Sequence, residues 1–246
     1  MKQKKSHLTN PRSDDEKFRW FKVEWPSSIR TLAKRIAKRP FNEESGHGFF
    51  VDRVRDDFLE ARYVEKIEYT DIVTDPFGNE LKFDRVEFRH TIFRASSFAP
   101  GLELIDPPRS VQALMNRLSE AVDFEVAITP VSLDVLKWAT LFQESGSVSA
   151  EIDSLQIGAL EIEKGIVAKV LVKGDRDVRA ACDVLTHDRK FSIEKVQLRL
   201  SNPYRKTTVV LSGTGAAVFS SDTLAEELLS PLRIALTGAM QLASQS

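Results

Sequence analysis

The chain lacks several features on which common protein classes depend. Its one cysteine among 246 residues, Cys182, excludes an intrachain disulfide and fits a reducing cytoplasm. No apolar run approaches the roughly 20 residues of a membrane helix. The N-terminal stretch MKQKKSHLTNPRSDDEKF has no apolar signal-peptide core. We therefore expect a cytoplasmic protein that does not insert into a membrane.

Signatures of catalysis and of cofactor binding are also missing. The chain has no GxGxxG fingerprint and no phosphate-binding loop, because SGTGAAV lacks a following Lys-Ser/Thr and leads into a strand pattern. None of the four histidines stands at metal-ligand spacing from another histidine or from Cys182. We expect no enzyme activity, no cofactor and no bound metal.

One enzymatic alternative stays open. A metal-dependent nuclease needs carboxylates that hold a divalent ion and a lysine beside them, and Glu161-Ile162-Glu163-Lys164 places two carboxylates next to a lysine. Gly165 follows directly, so the same stretch also predicts a hairpin tip with solvated charges.

The charges are distributed unevenly along the chain. Residues 1–41 carry 12 Lys/Arg against 4 Asp/Glu, a net of +8, so the remaining chain carries 23 against 32, a net of −9. A basic segment on an acidic body can bind an acidic polymer, an anionic surface or the body itself.

A helix without acidic residues lies within this basic segment. In SSIRTLAKRIAKRP, Ser27 or Ser28 is the predicted cap, every third or fourth residue is apolar, and Pro40 ends the helix. The basic residues lie off the apolar stripe: Arg30, Lys34, Arg35, Lys38 and Arg39. Solvated helix faces usually mix charges of both signs, so this pattern fits either a phosphate-facing surface or an ordinary exposed face.

A second basic stretch is the predicted turn RLSNPYRK at 199–206. It contains Arg199, Tyr204, Arg205 and Lys206. Basic side chains neutralise phosphates, and an aromatic ring stacks on a base or sugar, although turns are also polar because they are solvated. The turn and the helix together form our candidate nucleic-acid-binding set.

The strand and helix patterns predict an α+β protein with mainly antiparallel sheets and helices on one face. The stretch 102–128 has the pattern of a strand, a helix and a strand, and it recurs 67 positions later. The matching residues are Arg109, Val111, Ala113, Leu118 and Phe124 with Arg176, Val178, Ala180, Leu185 and Phe191. We interpret these matches as buried positions of two diverged ferredoxin-like or split βαβ-type halves.

We expect three segments along the chain. Residues 1–16 should form a disordered basic and polar segment, residues 17–100 an N-terminal α+β subdomain, and residues 101–246 an α+β repeat domain with a C-terminal helix. Pro231 should kink or split that helix, whose leucines supply either an intramolecular core or an oligomerisation surface.

The order of several motifs resembles a known family. RHTIFR precedes the first crossover, FEVAITPV precedes a helix and SVSAEI, and FSIEKVQLRL and a polar turn precede LSGTGAAVFS. Over roughly residues 85–220 this order is similar to that of the RexA-type phage-exclusion proteins of temperate phages. The resemblance implies a cytoplasmic, non-enzymatic DNA-binding homodimer with little base specificity, acting with a second protein in an exclusion or defence system.

Three functions therefore stay open at this point. The first is a sequence-tolerant DNA-binding subunit of a bacterial or prophage anti-phage system, which contacts phosphates through the basic helix and the 199–206 turn. The second is a protein-interaction or assembly subunit of a multiprotein complex. The third is a metal-dependent nuclease.

Overall fold

The chain folds into two compact units. The computed structural model describes residues 15–145, 149–201, 207–220 and 222–243, without the side chains of 222–226. The N-terminal unit comprises Phe18–Val131, and the C-terminal unit comprises Ser132–Ser246 together with Met1–Lys17. The division falls near residue 131 instead of near residue 100, because Leu102 and Leu104 are buried in the core of the N-terminal unit. The segment 1–16 lies outside the described residues except for its last two positions.

The N-terminal unit is an antiparallel sheet with two helices. Its elements are β1 (Glu16–Val23), α1 (Ile29–Ala37), β2 (His47–Val54), β3 (Phe58–Thr74), β4 (Glu80–Ser96), β5 (Gly101–Ile105), α2 (Gln112–Ala121) and β6 (Ile128–Pro130). The strands follow the order β2-β3-β4-β5-β1, and β6 also pairs with β1. All of these pairings are antiparallel.

The core of this unit lies between the helices and one face of the sheet. The apolar stripe of α1 is buried as the 3.6-residue period predicts, with Leu32 and Ile36 fully buried. Alternate residues of β3, from Leu59 to Tyr63, belong to the same buried cluster, and α2 contributes Leu118. This packing holds α1 and α2 against the same end of the sheet.

The C-terminal unit also combines an antiparallel sheet with helices. Its elements are α3 (Val135–Ser145), β7 (Ala150–Glu163), β8 (Ile166–Lys173), α4 (Arg179–Thr186), β9 (Phe191–Leu200), β10 (Thr207–Ser212), β11 (Ala216–Phe219) and α5 (Asp222–Ala243). The strand order is β11-β10-β9-β7-β8, again antiparallel. Helix α3 packs on α5, where the buried Trp138 Nε1 donates to the Leu232 carbonyl at 3.2 Å.

The predicted α+β class with mainly antiparallel pairing is confirmed. Each unit contains a crossover in which a third strand lies between two strands joined by a helix. In the N-terminal unit β5 and β6 flank β1, and in the C-terminal unit β8 and β9 flank β7. The predicted ferredoxin-like halves are not established beyond this feature, because the two units differ in the types and order of their other elements.

The predicted repeat holds for the helices and fails for the strand that follows the first one. Helix α2 begins at Gln112 and α4 begins 67 residues later at Arg179. Phe124, however, lies in a turn with φ of 64° and is 72% exposed, and its counterpart Phe191, although it begins β9, is 44% exposed. The predicted burial is therefore wrong at both phenylalanines, and Phe124 is not a strand residue, because it follows the end of α2.

Two further findings concern the C-terminal helix. Helix α5 runs unbroken from Asp222 to Ala243 with Pro231 inside it, so the expected split does not occur. Its residues Leu232 and Leu236 are fully buried, which fits an intramolecular core. No helix in the described part of the chain is long and apolar enough to cross a membrane.

Candidate nucleic-acid interface

Helix α1 presents its basic residues on the side opposite its buried stripe. The Ser28 side chain caps it by accepting from the Thr31 amide at 3.3 Å, and Pro40 follows its last residues. Arg30, Lys34 and Lys38 are exposed. The local prediction of this helix is confirmed, and its face is available for contacts.

The three arginines of this segment contact acceptors in their own unit. Arg30 forms an ion pair with Asp56, and the Arg30 guanidinium lowers the pKa of the Asp56 carboxyl below its ordinary value by hydrogen bonding and by charge. Arg35 Nη1 lies 3.3 Å from Asp123 Oδ2. Part of the basic charge is therefore directed at the acidic body of the protein itself.

Arg39 is held at the end of the helix. Its Nη2 donates to the Glu120 carbonyl oxygen at 2.7 Å, and its Nη1 lies 3.9 Å from the Glu120 carboxylate. Its main-chain carbonyl accepts from the Phe49 amide at 2.9 Å. These contacts join the end of α1 to α2 and to β2.

The two lysines of α1 differ from the arginines. Among the described residues, no carboxylate lies within ion-pairing distance of Lys34 or Lys38. They stand one helical turn apart, on the exposed side. These two ammonium groups can therefore bind an external anion without first breaking an ion pair to another described residue.

A polar cleft opens beside Lys38, with a volume of about 300 Å³. It lies between the end of α1, helix α2 and the loop before β2. Its charged lining consists of Lys38, Arg39 and Arg117 against the single carboxylate of Glu120, a net of +2 with His47 neutral. We call it the α1 cleft.

A second cleft of about 350 Å³ adjoins the first and shares Arg117 and Glu120 with it. Lys66 and Arg117 line it together with Glu65 and Glu120, so its charges balance. Lys66 also forms an ion pair with Glu68. The excess positive charge is therefore confined to the α1 cleft.

Arg117 organises the wall between the two clefts. Its Nη1 donates to both carboxylate oxygens of Glu120, at 3.0 and 2.8 Å. The neighbouring Tyr63 is buried, and its pKa is raised, mainly by burial and then by the Glu65 charge. Arg117 is therefore fixed in place, with its charge only partly compensated.

The loop before β2 is held by hydrogen bonds of its own. The His47 Nδ1–H donates to the Ser45 carbonyl at 2.7 Å, which leaves Nε2 of a neutral ring as an acceptor. Gly48 allows the chain to return close to α1, because a Cβ there would lie 2.3 Å from the main chain of Phe41. A rigid loop thus forms the third wall of the α1 cleft.

The second predicted site cannot be assessed in the same way. Arg199 lies in β9, where its Nη2 donates to the Glu151 carboxylate at 2.7 Å and to the Asp175 carbonyl at 2.6 Å. Tyr204, Arg205 and Lys206 lie outside the described residues. Of the six predicted site residues that the structure describes, Lys38 and Arg39 come together in the α1 cleft.

The cleft also contains residues that sequence reasoning did not select. His47 comes from β2 and Arg117 from α2, 70 positions apart in the chain. Arg117 had the local pattern of an ordinary ion pair with Glu120 three residues later. No local signal could have linked it to Lys38.

The remaining chemistry-bearing residues form no evident site. The described residues contain no group of three or more His, Cys, Asp or Glu that could hold a metal ion. Glu161 and Glu163 stand at the end of β7, next to the hairpin turn at Lys164 and Gly165. Cys182 is buried, and this burial raises its pKa.

Comparisons with known proteins add no family. No protein-family model matches the chain, and no curated protein matches it significantly. The resemblance to the RexA-type proteins stays a proposal based on the order of motifs.

Proposed function

We propose that this chain is a non-enzymatic DNA-binding subunit that contacts the sugar–phosphate backbone and tolerates most base sequences. The observation that carries the proposal is the α1 cleft. There, Lys38 and Arg39 from the end of α1 meet Arg117 from α2 around an open polar space with a net charge of +2. Lys34 extends the same basic surface by one helical turn.

The chemistry of these groups suits phosphate. Guanidinium groups present paired N–H donors to phosphate oxygens, and ammonium groups act as point charges that release condensed counterions from a nucleic acid. The cleft offers no aromatic ring for stacking on a base, since its one aromatic lining residue, Phe49, is buried. Contacts of this kind position the backbone and carry little base information.

The wider biological setting rests on the resemblance to RexA-type proteins. It places the subunit in a bacterial or prophage anti-phage defence or exclusion system in the cytoplasm, as a homodimer with a second protein component. The chemistry at the α1 cleft is compatible with that role, because backbone binding without base selection suits a protein that acts on DNA of varied sequence.

The test is DNA retention as a function of salt concentration for the wild type and a Lys34→Glu/Lys38→Glu variant. The wild type should retain duplex DNA of unrelated sequences at low salt and lose it steeply as salt increases. The variant should bind more weakly, and its slope of log affinity against log salt should fall by about 2, since each lost phosphate contact removes about 0.9.

A matched charge control is Lys22→Glu/Lys137→Glu, which reverses one exposed lysine in each unit. It changes the net charge by the same amount without touching the α1 cleft. Equal weakening in both double variants would assign the effect to net charge alone. Absence of retention by the wild type at low salt would refute DNA binding.

An assembly function is the second candidate, and a separate observation favours it. Strands β3 and β4 extend past the rest of the sheet and expose large apolar side chains, among them Phe77 at 90% exposure. Contiguous exposed apolar surface of this kind marks protein contacts. It does not conflict with DNA binding at the α1 cleft, because the two features use different side chains.

A further inference from the structure

The hairpin of β3 and β4 continues beyond the strands that flank it. Strand β2 pairs with β3 only as far as Glu65, and β5 pairs with β4 only as far as Ile92. The ladder between β3 and β4 continues from Lys66↔Phe88 to Thr74↔Glu80. We call residues 66–88 the arm.

The arm carries apolar side chains on both faces. Since opposed residues share a face, one face bears Tyr69, Val73, Leu81 and Phe83, and the other bears Ile72, Val86 and Phe88. Their exposed fractions lie between 41% for Tyr69 and 56% for Ile72, and Phe77 in the turn is 90% exposed.

This amount of apolar surface needs a cover. At half exposure, and at roughly 150–200 Å² per large side chain, the four residues of the first face and Phe77 together present about 500 Å², the size of the largest and often functional patch of a typical monomer. A two-stranded ribbon is also only marginally stable by itself in water. Two copies that pack through this face would bury about 1,000 Å² in total, the lower limit for a specific protein–protein interface.

The charges of the arm limit the choice of partner. Residues 66–88 contain three cations and six carboxylates, a net of −3. Some are paired within the arm, such as Arg85 with Asp71 at 2.8 Å. This charge disfavours the dense negative charge of a nucleic acid or an anionic lipid surface, so a protein is the favoured cover. Between two copies of the arm the repulsion is small at physiological salt, because each arm carries only three excess charges and exposed charges are screened.

We propose that the arm is a self-association surface whose partner is the arm of a second copy of this chain; the inference rests on the homodimer of the proposed function and assigns the surface that forms it. A second copy presents the same patch, so the two apolar areas match, and a two-fold pair in which each arm contacts the other is closed. The patch of Tyr69, Val73, Leu81 and Phe83 forms its centre, with Phe77 beside it.

Sedimentation velocity over a concentration series tests this inference. The wild type should sediment as a dimer in the micromolar range. In a Leu81→Ser/Phe83→Ser variant the dissociation constant of the dimer should increase by about thirtyfold or more, because the variant loses two central apolar contacts. A Phe124→Ser/Val184→Ser variant is the control, since it removes two strongly exposed apolar residues outside the arm.

Salt provides a second readout that separates this surface from the DNA-binding one. Because the net charge of the arm is negative in both copies, raising the salt concentration should leave the dimer unchanged or strengthen it. DNA binding should weaken under the same conditions. A wild type that stays monomeric, or an arm variant that dimerises as tightly as the wild type, would overturn the inference.

Discussion

At the scale of single residues, the cations of α1 differ in what their side chains contact. The guanidinium groups of Arg30 and Arg35 point to carboxylates that lie 26 and 88 positions away in the chain. Exposed ion pairs of this kind contribute little to stability, but they lower the availability of the charge. The sequence showed five equivalent basic residues, and it could not show that the lysines alone lack such partners among the described residues.

Two glycines with positive φ differ in the space available for a Cβ atom. Gly101 has φ of 101°, and a Cβ there would lie 2.1 Å from the Val23 carbonyl oxygen, whereas Gly78 has φ of 88° and open space around it. We expect Gly101→Ala to lower the free energy of unfolding by about 2–4 kcal/mol. Gly78→Ala should cost only the conformational term of about 1 kcal/mol.

Urea denaturation followed by tryptophan fluorescence measures both values. The two substitutions share the left-handed backbone and differ in the steric clash, so their difference isolates the close approach of β1 and β5. Equal losses of stability would show that the clash is relieved by a small shift of the backbone.

At the scale of secondary-structure elements, periodicity predicted most of the helices. Helix α1 buries the expected stripe. The errors arose where an apolar residue type alone was interpreted as evidence of a buried strand position. Phe124 was interpreted as a strand residue, yet the chain leaves α2 through a turn with positive φ there, a conformation that composition does not reveal.

The turn of the arm gives a pH prediction at this scale. Asp75 accepts from the Phe77 and Asn79 amides at 2.8 Å each and from Asn79 Nδ2 at 2.9 Å. These hydrogen bonds, led by the Asn79 side chain, lower the pKa of Asp75 in the folded state. The contribution of Asp75 to the stability of the turn is therefore complete above the ordinary aspartate pKa of about 3.9. It is lost as the pH falls through the lower pKa that Asp75 has in the folded state.

Hydrogen exchange of the arm amides measures how far the charged Asp75 side chain stabilises the turn. We expect Asp75→Ala to speed exchange severalfold in the arm at neutral pH, while the amides of α1 stay protected. Thr74→Ala is the control, because it alters the neighbouring position without removing the turn acceptor. Unchanged exchange in the Asp75 variant would show that the main-chain turn is sufficient.

At the scale of the whole molecule, the uneven charge of the sequence is partly compensated within the fold. Asp56, Glu120 and Asp123 belong to the acidic body and contact the basic segment directly. The composition allowed the basic segment to bind an acidic polymer, an anionic surface or the acidic body itself. The last of these alternatives accounts for Arg30, Arg35 and Arg39. The lysines and the α1 cleft are the part that can act on an external anion.

The candidate site could be predicted only in part for the same reason. Lys38 and Arg39 were found because they are neighbours in sequence. Arg117 and His47 join them only through the packing of α2 and β2 on one sheet, and that packing depends on long-range strand pairing. The number and type of elements could be read from local patterns, whereas the cleft could not.

The length of the arm has one more consequence for the molecule. Nine residues from Lys66 to Thr74 at about 3.3 Å each make a spacer of about 30 Å. Since side chains alternate along a strand, removing one residue pair turns the distal patch to the opposite face, and removing two restores it.

Deleting Lys66, Ile67, Glu87 and Phe88 should therefore shorten the spacer by about 7 Å and preserve dimers in sedimentation. Deleting only Ile67 and Glu87 should weaken them, and the reverse order would contradict the assigned contact face. Changes in the length of this spacer are tolerated only in steps of two residue pairs.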